Sequence, residues 1–220
     1  MQQKYTIREL QAKETKEKIF KVTIKLLSER DFNNVTIDDI CNLAGVAKGS
    51  FYRYFKSKGD LLSVWYQQMD LKYMDIYNQL DHNLCATEKL YAFANEVCAL
   101  LANEVGFMVI KNVYTAQLID VQFTYVFYPK RSFYTVLTEI ISEGQKKGEF
   151  CKDIDSKEIG DILIYMFRGL HYSWSTYCSK DLPYDLYSET QKCLDLIILS
   201  IKMQRSELHC KRILKQDRDE

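Results

Sequence analysis

The chain has 220 residues, of which 47% are hydrophobic and 27% charged, and its formal net charge is zero. This composition is typical of a globular protein and excludes a disordered one, and no uncharged run approaches the roughly 18 apolar residues of a membrane span. Only two prolines and eight glycines occur, which favours long helices over strands and turns. No apolar signal segment follows Met1, so we expect a cytoplasmic protein.

Charge is unevenly distributed along the sequence. Residues 1–60 carry twelve Lys or Arg and eight Asp or Glu, a net charge of +4, whereas residues 61–220 carry eighteen and twenty-two, a net charge of −4. A basic N-terminal part is typical of a small DNA-binding domain joined to a domain with another role. The seven cysteines contain no Cys-x-x-Cys pair, so we expect neither a metal site nor a cofactor.

Apolar residues at helical spacing predict a first helix over residues 15–30. Phe20, Ile24 and Leu27 form one stripe, and the helix is expected to cover the two shorter helices that follow. Residues 1–14 are polar and are predicted to fray. Extension of the first helix and an arm that reaches the DNA minor groove are the alternatives for this segment.

Residues 36–58 predict two short helices joined by a tight turn. The first of these two short helices is preceded by Thr36, and Asp39 follows three residues later, which is a capping-box pattern. Gly45 follows it, where a left-handed residue costs least. The predicted buried face of this helix consists of Ile37, Ile40, Leu43 and Ala44.

The second helix of this stretch begins near Ala47 and has two different faces. Phe51 and Phe55 are four residues apart and are expected to point inward. From Lys48 to Lys58 there are four basic residues and no acidic one. Cations and short donors on a narrow helix suit phosphates and base edges, although a solvated surface helix is the alternative.

The segment at residues 45–62, GVAKGSFYRYFKSKGDLL, resembles the DNA-binding signature of the TetR/AcrR family of bacterial transcriptional regulators. Ala47 departs from the pattern, because many members place a capping Ser or Thr there, and Gly59 stands where a glutamate is common. The resemblance implies an all-α fold with an N-terminal three-helix helix-turn-helix head and a larger C-terminal helical domain for ligand binding and dimerisation. We therefore divide the chain into residues 1–60 for the head, 61–205 for the larger domain and 206–220 for a charged tail.

The predicted DNA contacts fall into two groups. The residues expected to approach base edges are Lys48, Gly49, Ser50, Arg53 and Tyr54. The residues expected to hold phosphates are Tyr52, Tyr54 and Lys58, with the backbone at Thr36 and Ile37. The expected partner is a double-stranded DNA operator.

Six further helices are predicted from residue 58 onward, at residues 58–80, 87–105, 107–119, 129–147, 155–177 and 183–204. Residues 121–128 show the alternation of apolar and polar residues that is typical of a strand. A lone strand has no partner, so we interpret them as a loop that leads into a helix. The last two helices are apolar on more than one face, which predicts burial by a second copy as well as by their own domain. The resemblance implies a homodimer that pairs through these two helices and presents two heads to a palindromic operator.

Sixteen tyrosines and eleven phenylalanines predict an aromatic-lined site for an unknown small-molecule effector, with ordinary core filling as the alternative for each. The resemblance implies a pocket in the larger domain. Arg168 and His171 are candidates to recognise an anion, and structural pairing or exposure at the dimer seam are their alternatives. The candidate pocket residues are Met69, Tyr73, Phe93, Phe107, Tyr114, Tyr134, Met166 and Trp174.

The sequence therefore predicts a sequence-specific transcriptional regulator rather than an enzyme, most simply a repressor that a small molecule releases from DNA. A small-molecule-binding protein or antirepressor with a non-functional head is one alternative, and a helical enzyme is another. The enzyme alternative has little support, because there is no Gly-rich phosphate loop, Gly-x-Ser-x-Gly or His-Glu-x-x-His motif.

Overall fold

The computed structural model describes residues 6–119 and 131–202, and every regular element in those ranges is helical. The head contains α1 (Ile7–Glu29), α2 (Ile37–Ala44) and α3 (Lys48–Tyr54). The body contains α4 (Lys58–Gln79), α5 (Ala86–Leu100), α6 (Phe107–Ile119), α7 (Ser132–Lys147), α8 (Ser156–Cys178) and α9 (Leu186–Lys202). The predicted all-α class, with a three-helix head and a larger helical domain, is confirmed.

The first helix begins at Ile7, eight residues earlier than predicted. Thr6 and Glu9 form a capping box: the Glu9 N–H donates to Thr6 Oγ1 over 3.3 Å, and the Thr6 N–H donates to Glu9 Oε2 over 2.8 Å. Two backbone donors that the helix itself cannot satisfy are thus paired. The predicted fraying is therefore wrong for residues 6–14, and residues 1–5 lie outside the described part of the chain.

A single apolar core runs from the head into the body. Leu61 and Leu62 of α4 are at most 1% exposed and join the two parts. Helix α4 packs against α1 on one side and against α5 and α7 on the other, and α6 packs against both α1 and α8. The head is therefore held to the body by two helices, α4 and α6. The core of the head includes the predicted residues Ile19, Phe20, Leu27, Ile40, Phe51 and Phe55.

One predicted core residue of α2, Leu43, is half-exposed. The buried residues of this helix are Ile40, Cys41 and Ala44. Each residue turns an α-helix by about 100°, so Leu43 lies roughly 110° from the middle of the face that these three define. The predicted face included Leu43 and left out Cys41, so it was turned toward the wrong side of this helix.

Several boundary predictions fall partly outside the described residues. Helix α7 begins at Ser132. The predicted helix start at Pro129 and the predicted loop at residues 121–128 lie outside the described residues. Helix α9 begins three residues after the predicted start at Pro183, and its predicted end and the charged tail lie beyond residue 202. The domain boundary at residue 60 stays a prediction.

The described residues hold no cluster of three or more candidate metal ligands. The six cysteines in these ranges form no disulfide. No single described helix is long and apolar enough to span a membrane. The segments Ala86–Val105 and Phe107–Ile119 pass that criterion only as a pair, and they meet at an angle of 95°.

Candidate nucleic-acid interface and effector site

The turn between α2 and α3 is built by local sequence signals. The Asp39 N–H donates to Thr36 Oγ1 over 3.0 Å and the Thr36 N–H donates to Asp39 Oδ2 over 2.9 Å, which confirms the predicted capping box. Gly45 ends the helix with a φ of 61°, and its N–H donates to the Asn42 carbonyl. A left-handed residue at this point lets the chain reverse and start α3 three residues later, at Lys48.

Helix α3 is attached to the head by two phenylalanines. Phe51 is fully buried and Phe55 is 2% exposed, and their ring centroids are 5.7 Å apart. The side chains on the opposite face therefore project away from the core. The exposed residues of α3 are Lys48, Gly49, Tyr52 and Arg53.

Two of the predicted base-contacting residues are less accessible than the others. Ser50 and Tyr54 are half-buried, and Tyr54 packs against the apolar core. Ala47 precedes α3 without a side-chain hydrogen bond to it, so the cap that the sequence lacks is not supplied from elsewhere. Thr36 is exposed at the start of α2 and Ile37 is half-buried there, and their backbone contacts with phosphates stay predictions.

Gly49 is not required by the packing of the protein itself. A Cβ atom built at this position would meet no other atom within 4 Å. The backbone there is exposed and has an ordinary helical conformation, so the fold would accept a larger residue. This open space is what close approach of the helix to a groove wall requires.

An acidic residue missed by the sequence analysis faces the start of α3. Lys48 Nζ lies 2.8 Å from Asp38 Oδ1 and 3.0 Å from Asp38 Oδ2, and both side chains are more than half exposed. The hydrogen bond to Asp38 raises the pKa of Lys48, which keeps it charged. Exposed ion pairs are weak, so a phosphate or base edge can take Lys48 from Asp38 at little cost.

Lys58 has a structural role that the sequence did not predict. Its ammonium donates to the carbonyls of Phe32 and Val35 over 2.9 Å and 2.7 Å and lies 4.5 Å from the centroid of the Phe32 ring. Partial burial lowers the pKa of Lys58. Two of the three ammonium donors are occupied, so the predicted phosphate contact has one N–H left to use.

Arg53 and Lys58 are expected to affect DNA binding in different ways. Arg53→Ala removes an exposed side chain from the outer face of α3, so it should relax sequence preference at one base pair and cost about 1–3 kcal/mol of specific binding. Lys58→Met removes two hydrogen bonds that hold the segment between α1 and α2, so it should weaken binding to all sequences. Binding to a pool of variant operators, with thermal unfolding alongside, checks both. An unchanged sequence preference in Arg53→Ala would contradict this assignment.

One aromatic residue that was not predicted from the sequence, the half-buried Phe133, contacts three buried rings of the body. The Phe133 ring centroid lies 4.9 Å from that of Tyr73, 5.6 Å from that of Phe93 and 5.1 Å from that of Phe167. Helices α4, α5, α7 and α8 each contribute one member to this aromatic cluster. Phe133 lies four residues before buried Leu137 in α7, and that spacing was the signal for it.

A second group of rings joins α6 to α8. Phe107 packs edge-on against Trp174 with centroids 6.5 Å apart, and Tyr114 packs against Tyr172 at 6.0 Å. The Tyr114 hydroxyl donates to the Arg168 carbonyl over 3.2 Å, and burial raises the pKa of Tyr114 to about 12. An effector that enters between α6 and α8 would have to separate these pairs.

The remaining predicted pocket residues are placed apart from these two groups. Met69 lines a cleft of about 230 Å³ between α1, α4 and the turn after α5 at Glu104 and Val105, together with Phe20 and Trp65. Tyr134 lies where α7 crosses α8, close to Gly160. Met166 is half-buried on α8. The role of the eight candidate residues in ligand binding stays a prediction.

Polar groups lie at the edge of the aromatic cluster. The Arg131 guanidinium stacks 4.3 Å from the centroid of the Tyr66 ring and donates to Asp70 over 2.9 Å. The Tyr66 hydroxyl also accepts from the Gln117 side-chain amide, and burial raises the pKa of Tyr66. None of these four residues was predicted from the sequence, because they come from two different helices, α4 and α6, and the segment before α7.

His171 is buried inside the body and is not exposed at a dimer seam. It is 8% exposed, its ring lies 6.0 Å from that of Phe167, and burial lowers its pKa to about 4. The imidazole is therefore neutral at pH 7. Its Nε2 atom has no hydrogen-bond partner among the described residues, which leaves a polar atom available within an aromatic interior.

Helices α8 and α9 carry exposed apolar residues at helical spacing. Tyr165 on α8 is 65% exposed, and Leu196 on α9 is 69% exposed. The two helices pack side by side, so their outer faces are neighbours. The further exposed apolar residues on these helices include Ile162, Tyr172 and Leu199.

A basic helix projecting from a capped helix-turn-helix, carried on a large all-helical body, defines a DNA-binding transcriptional regulator. Residues 19–64 match the model for bacterial regulatory proteins of the tetR family, and residues 66–200 match the model for the YsiA-like protein C-terminal region. The chain belongs to the TetR family of bacterial regulatory proteins, and it is a DNA-binding regulator of transcription.

Relatives of the chain include regulators of fatty acid metabolism. The fatty acid metabolism regulator protein of Bacillus subtilis is 22% identical over 184 residues, which span 83% of this chain and 93% of that protein. The HTH-type transcriptional regulator AcrR of Shigella flexneri is 36% identical over 56 residues, 25% of this chain and 26% of AcrR. These relatives are transcriptional regulators and not enzymes.

Solved structures share the fold. Thermus thermophilus FadR, a TetR family transcriptional repressor in complex with lauroyl-CoA, superposes with a TM-score of 0.67 at 20% identity, covering 83% of this chain and 93% of that one. Bacillus subtilis FadR in complex with stearoyl-CoA gives a TM-score of 0.65 at 20% identity, covering 83% and 97%. At these identities the superposition establishes the common architecture.

Proposed function

We propose that this protein represses genes of fatty acid metabolism and that a long-chain acyl-CoA releases it from its operator. The observation that carries the proposal is the aromatic interior formed by Tyr73, Phe93, Phe133 and Phe167. An acyl chain has no hydrogen-bonding groups, so it loses nothing in such surroundings, whereas a polar effector would leave its own donors and acceptors unpaired. The two FadR structures with acyl-CoA and the similarity to the Bacillus subtilis regulator support the same effector class.

Operator binding is proposed to use a homodimer formed through α8 and α9. Exposed apolar side chains at regular spacing on two adjacent helices are typical of an isologous interface, in which the same surface is used by both copies. Two heads related by a two-fold axis would read two half-sites of a palindrome. The proposed base contacts come from Lys48, Gly49 and Arg53, with Tyr52 at a phosphate.

The test is displacement of operator DNA by acyl-CoA. Fluorescence anisotropy of labelled operator would be followed during titration with lauroyl-, palmitoyl- and stearoyl-CoA, with free CoA and a non-ionic detergent of matched chain length as controls. We expect operator affinity to fall by about tenfold or more with at least one acyl-CoA, in the usual range of allosteric coupling. The controls should leave affinity unchanged. Equal operator affinity with and without every acyl-CoA would refute this effector class.

Two rival functions make different predictions in the same experiment. A binding protein with a non-functional head would bind acyl-CoA but would show only weak, non-specific DNA binding. A helical enzyme would release free CoA from acyl-CoA over time with no DNA present, and a thiol-reactive dye would detect it. Stoichiometric binding without CoA release, combined with operator displacement, favours the repressor.

A further inference from the structure

The end of α1 is held by a buried amide that belongs to the body. Asn112 of α6 is 1% exposed. Its Nδ2 donates to the carbonyls of Leu27 and Arg30 over 2.7 Å and 2.8 Å, and its Oδ1 accepts from the Phe32 N–H over 2.7 Å. All three bonds join α6 to the segment that leads from α1 to α2.

These bonds make the contact specific to asparagine. The last carbonyls of a helix have no partner within the helix, and Asn112 satisfies two of them at the end of α1. A side-chain amide has two N–H donors and an acceptor oxygen, and all of these are used. An aspartate would keep the acceptor and lose both donors, whereas a leucine of similar size would lose every bond.

The same segment is also held from α4. The Phe32 N–H is bound by Asn112 of α6, and the Phe32 carbonyl is bound by Lys58 at the start of α4. Lys58 also holds the Val35 carbonyl. The connection from α1 to α2 is thus fixed to two body helices at once. A displacement of α6 relative to α4 cannot leave both sets of bonds unchanged.

Helix α6 is well placed to be displaced by an effector. Its half-buried Phe107 and Tyr114 pack against Trp174 and Tyr172 of α8. It follows a π-helical turn, Leu101–Val105, and Gly106 with a φ of 83°. Single π-helical turns interrupt the regular hydrogen-bond ladder and often occur at functional sites, so the helix has an irregular junction at its start.

We propose that Asn112 is the positioning residue that couples the body to the head, so that displacement of α6 by an effector reorients α2 and α3. This inference rests on the proposed function in that the effector binds inside the body. It assigns the coupling to one side chain that contacts neither DNA nor the aromatic cluster. The protein would bind the effector more tightly with α6 in one position and DNA more tightly with α6 in the other. This difference in affinity links the two sites.

The experiment compares Asn112→Leu and Asn112→Asp with the wild type. For each protein, operator affinity is measured with and without saturating palmitoyl-CoA, and palmitoyl-CoA affinity is measured without DNA. Two variants serve as controls. Thr190→Val removes a buried hydroxyl between α5 and α9. It should lower the stability of the protein, as the Asn112 variants do, without changing a contact with the head. Lys111→Gln removes the exposed ion pair with Asp31 from the same surface of α6.

The expected result is a loss of coupling with ligand binding preserved. Allosteric coupling typically changes affinity by about 5- to 150-fold. In both Asn112 variants, the ratio of operator affinity without palmitoyl-CoA to operator affinity with it should be close to 1. Their palmitoyl-CoA affinity should stay within about threefold of the wild type. Both controls should keep the wild-type ratio. A wild-type ratio in folded Asn112 variants, or an equal loss in Thr190→Val, would overturn the inference.

A separate measurement distinguishes this inference from the proposed effector. If no acyl-CoA affects the wild type, the proposed effector class is wrong, and amide hydrogen exchange without ligand then tests Asn112 on its own. Binding of an operator selected from random DNA should change the exchange of the Phe32 amide and of α6 amides in the wild type, but not the α6 amides in Asn112→Leu. Identical α6 responses in the two proteins would refute the role of Asn112.

Discussion

Replacing Gly49 by glutamate is expected to abolish specific operator binding while leaving the protein as stable as the wild type or slightly more so. A Cβ atom at this position meets no atom within 4 Å beyond its chain neighbours and the backbone of its own helix. Glycine disfavours a helix by about 1 kcal/mol, and an acidic residue near a helix N-terminus is favourable, so the unfolding free energy should not fall. At the DNA surface the same side chain would add bulk and a negative charge facing phosphates. Like charges placed together in an interface cost several kcal/mol, which corresponds to a loss of about 100-fold or more in affinity.

Two further variants separate the causes of that loss. Gly49→Ala adds bulk without charge and should give a smaller loss of affinity with a similar gain in stability. Ala99→Glu adds the same charge to an exposed position on α5, which does not pack against the head, and should leave operator binding unchanged. Operator affinity by anisotropy and thermal unfolding are measured together. Operator binding by Gly49→Glu within about threefold of the wild type would show that α3 is not the helix that reads DNA.

The double variant Leu196→Lys, Leu199→Lys is expected to be monomeric and to lose operator affinity by about 100-fold or more. Both leucines are at least 60% exposed on α9, so lysine there should not disturb the core of one chain. In a dimer their positions would be buried against the partner, where unpaired lysines are costly. A monomer would bind two half-sites independently and lose the affinity that comes from linking them, which reaches about 10²–10⁴-fold.

Mass measured by light scattering after size exclusion tests this prediction directly. Leu71→Lys is a matched control, because Leu71 is 67% exposed on α4, outside the two helices of the proposed interface. The control should remain dimeric and should keep its operator affinity. Dimeric mass in the double variant together with monomeric mass in Leu71→Lys would place the interface on another surface.

The turn between α2 and α3 could be predicted because each of its signals lies within a few residues of the next. Thr36 and Asp39 cap α2, Gly45 ends it, and Phe51 and Phe55 fix the inward face of α3 by their spacing. The start of α1 could have been predicted in the same way, since Thr6 and Glu9 have the spacing of a capping box. The polar character of residues 1–14 led instead to a prediction of fraying.

The contacts between head and body could not be predicted from sequence. Asn112 binds backbone groups of residues 80 to 85 positions away, and a single asparagine in a helix gives no sign of its partner. Lys58 was interpreted as a phosphate ligand because it lies in a basic stretch, yet most of its donors are used by carbonyls of the head. Long-range polar contacts of this kind depend on how helices pack, which local periodicity does not determine.

The central claim, that this is a dimeric, sequence-specific DNA-binding regulator, is tested most directly by selection of bound duplexes from a random-sequence DNA pool. We expect enrichment of a palindrome whose half-sites are spaced to match two heads of one dimer. The Gly49→Glu protein, put through the same selection, should enrich no motif. Failure of the wild-type protein to enrich any motif at low salt would contradict the claim, since non-specific phosphate attraction is strongest there.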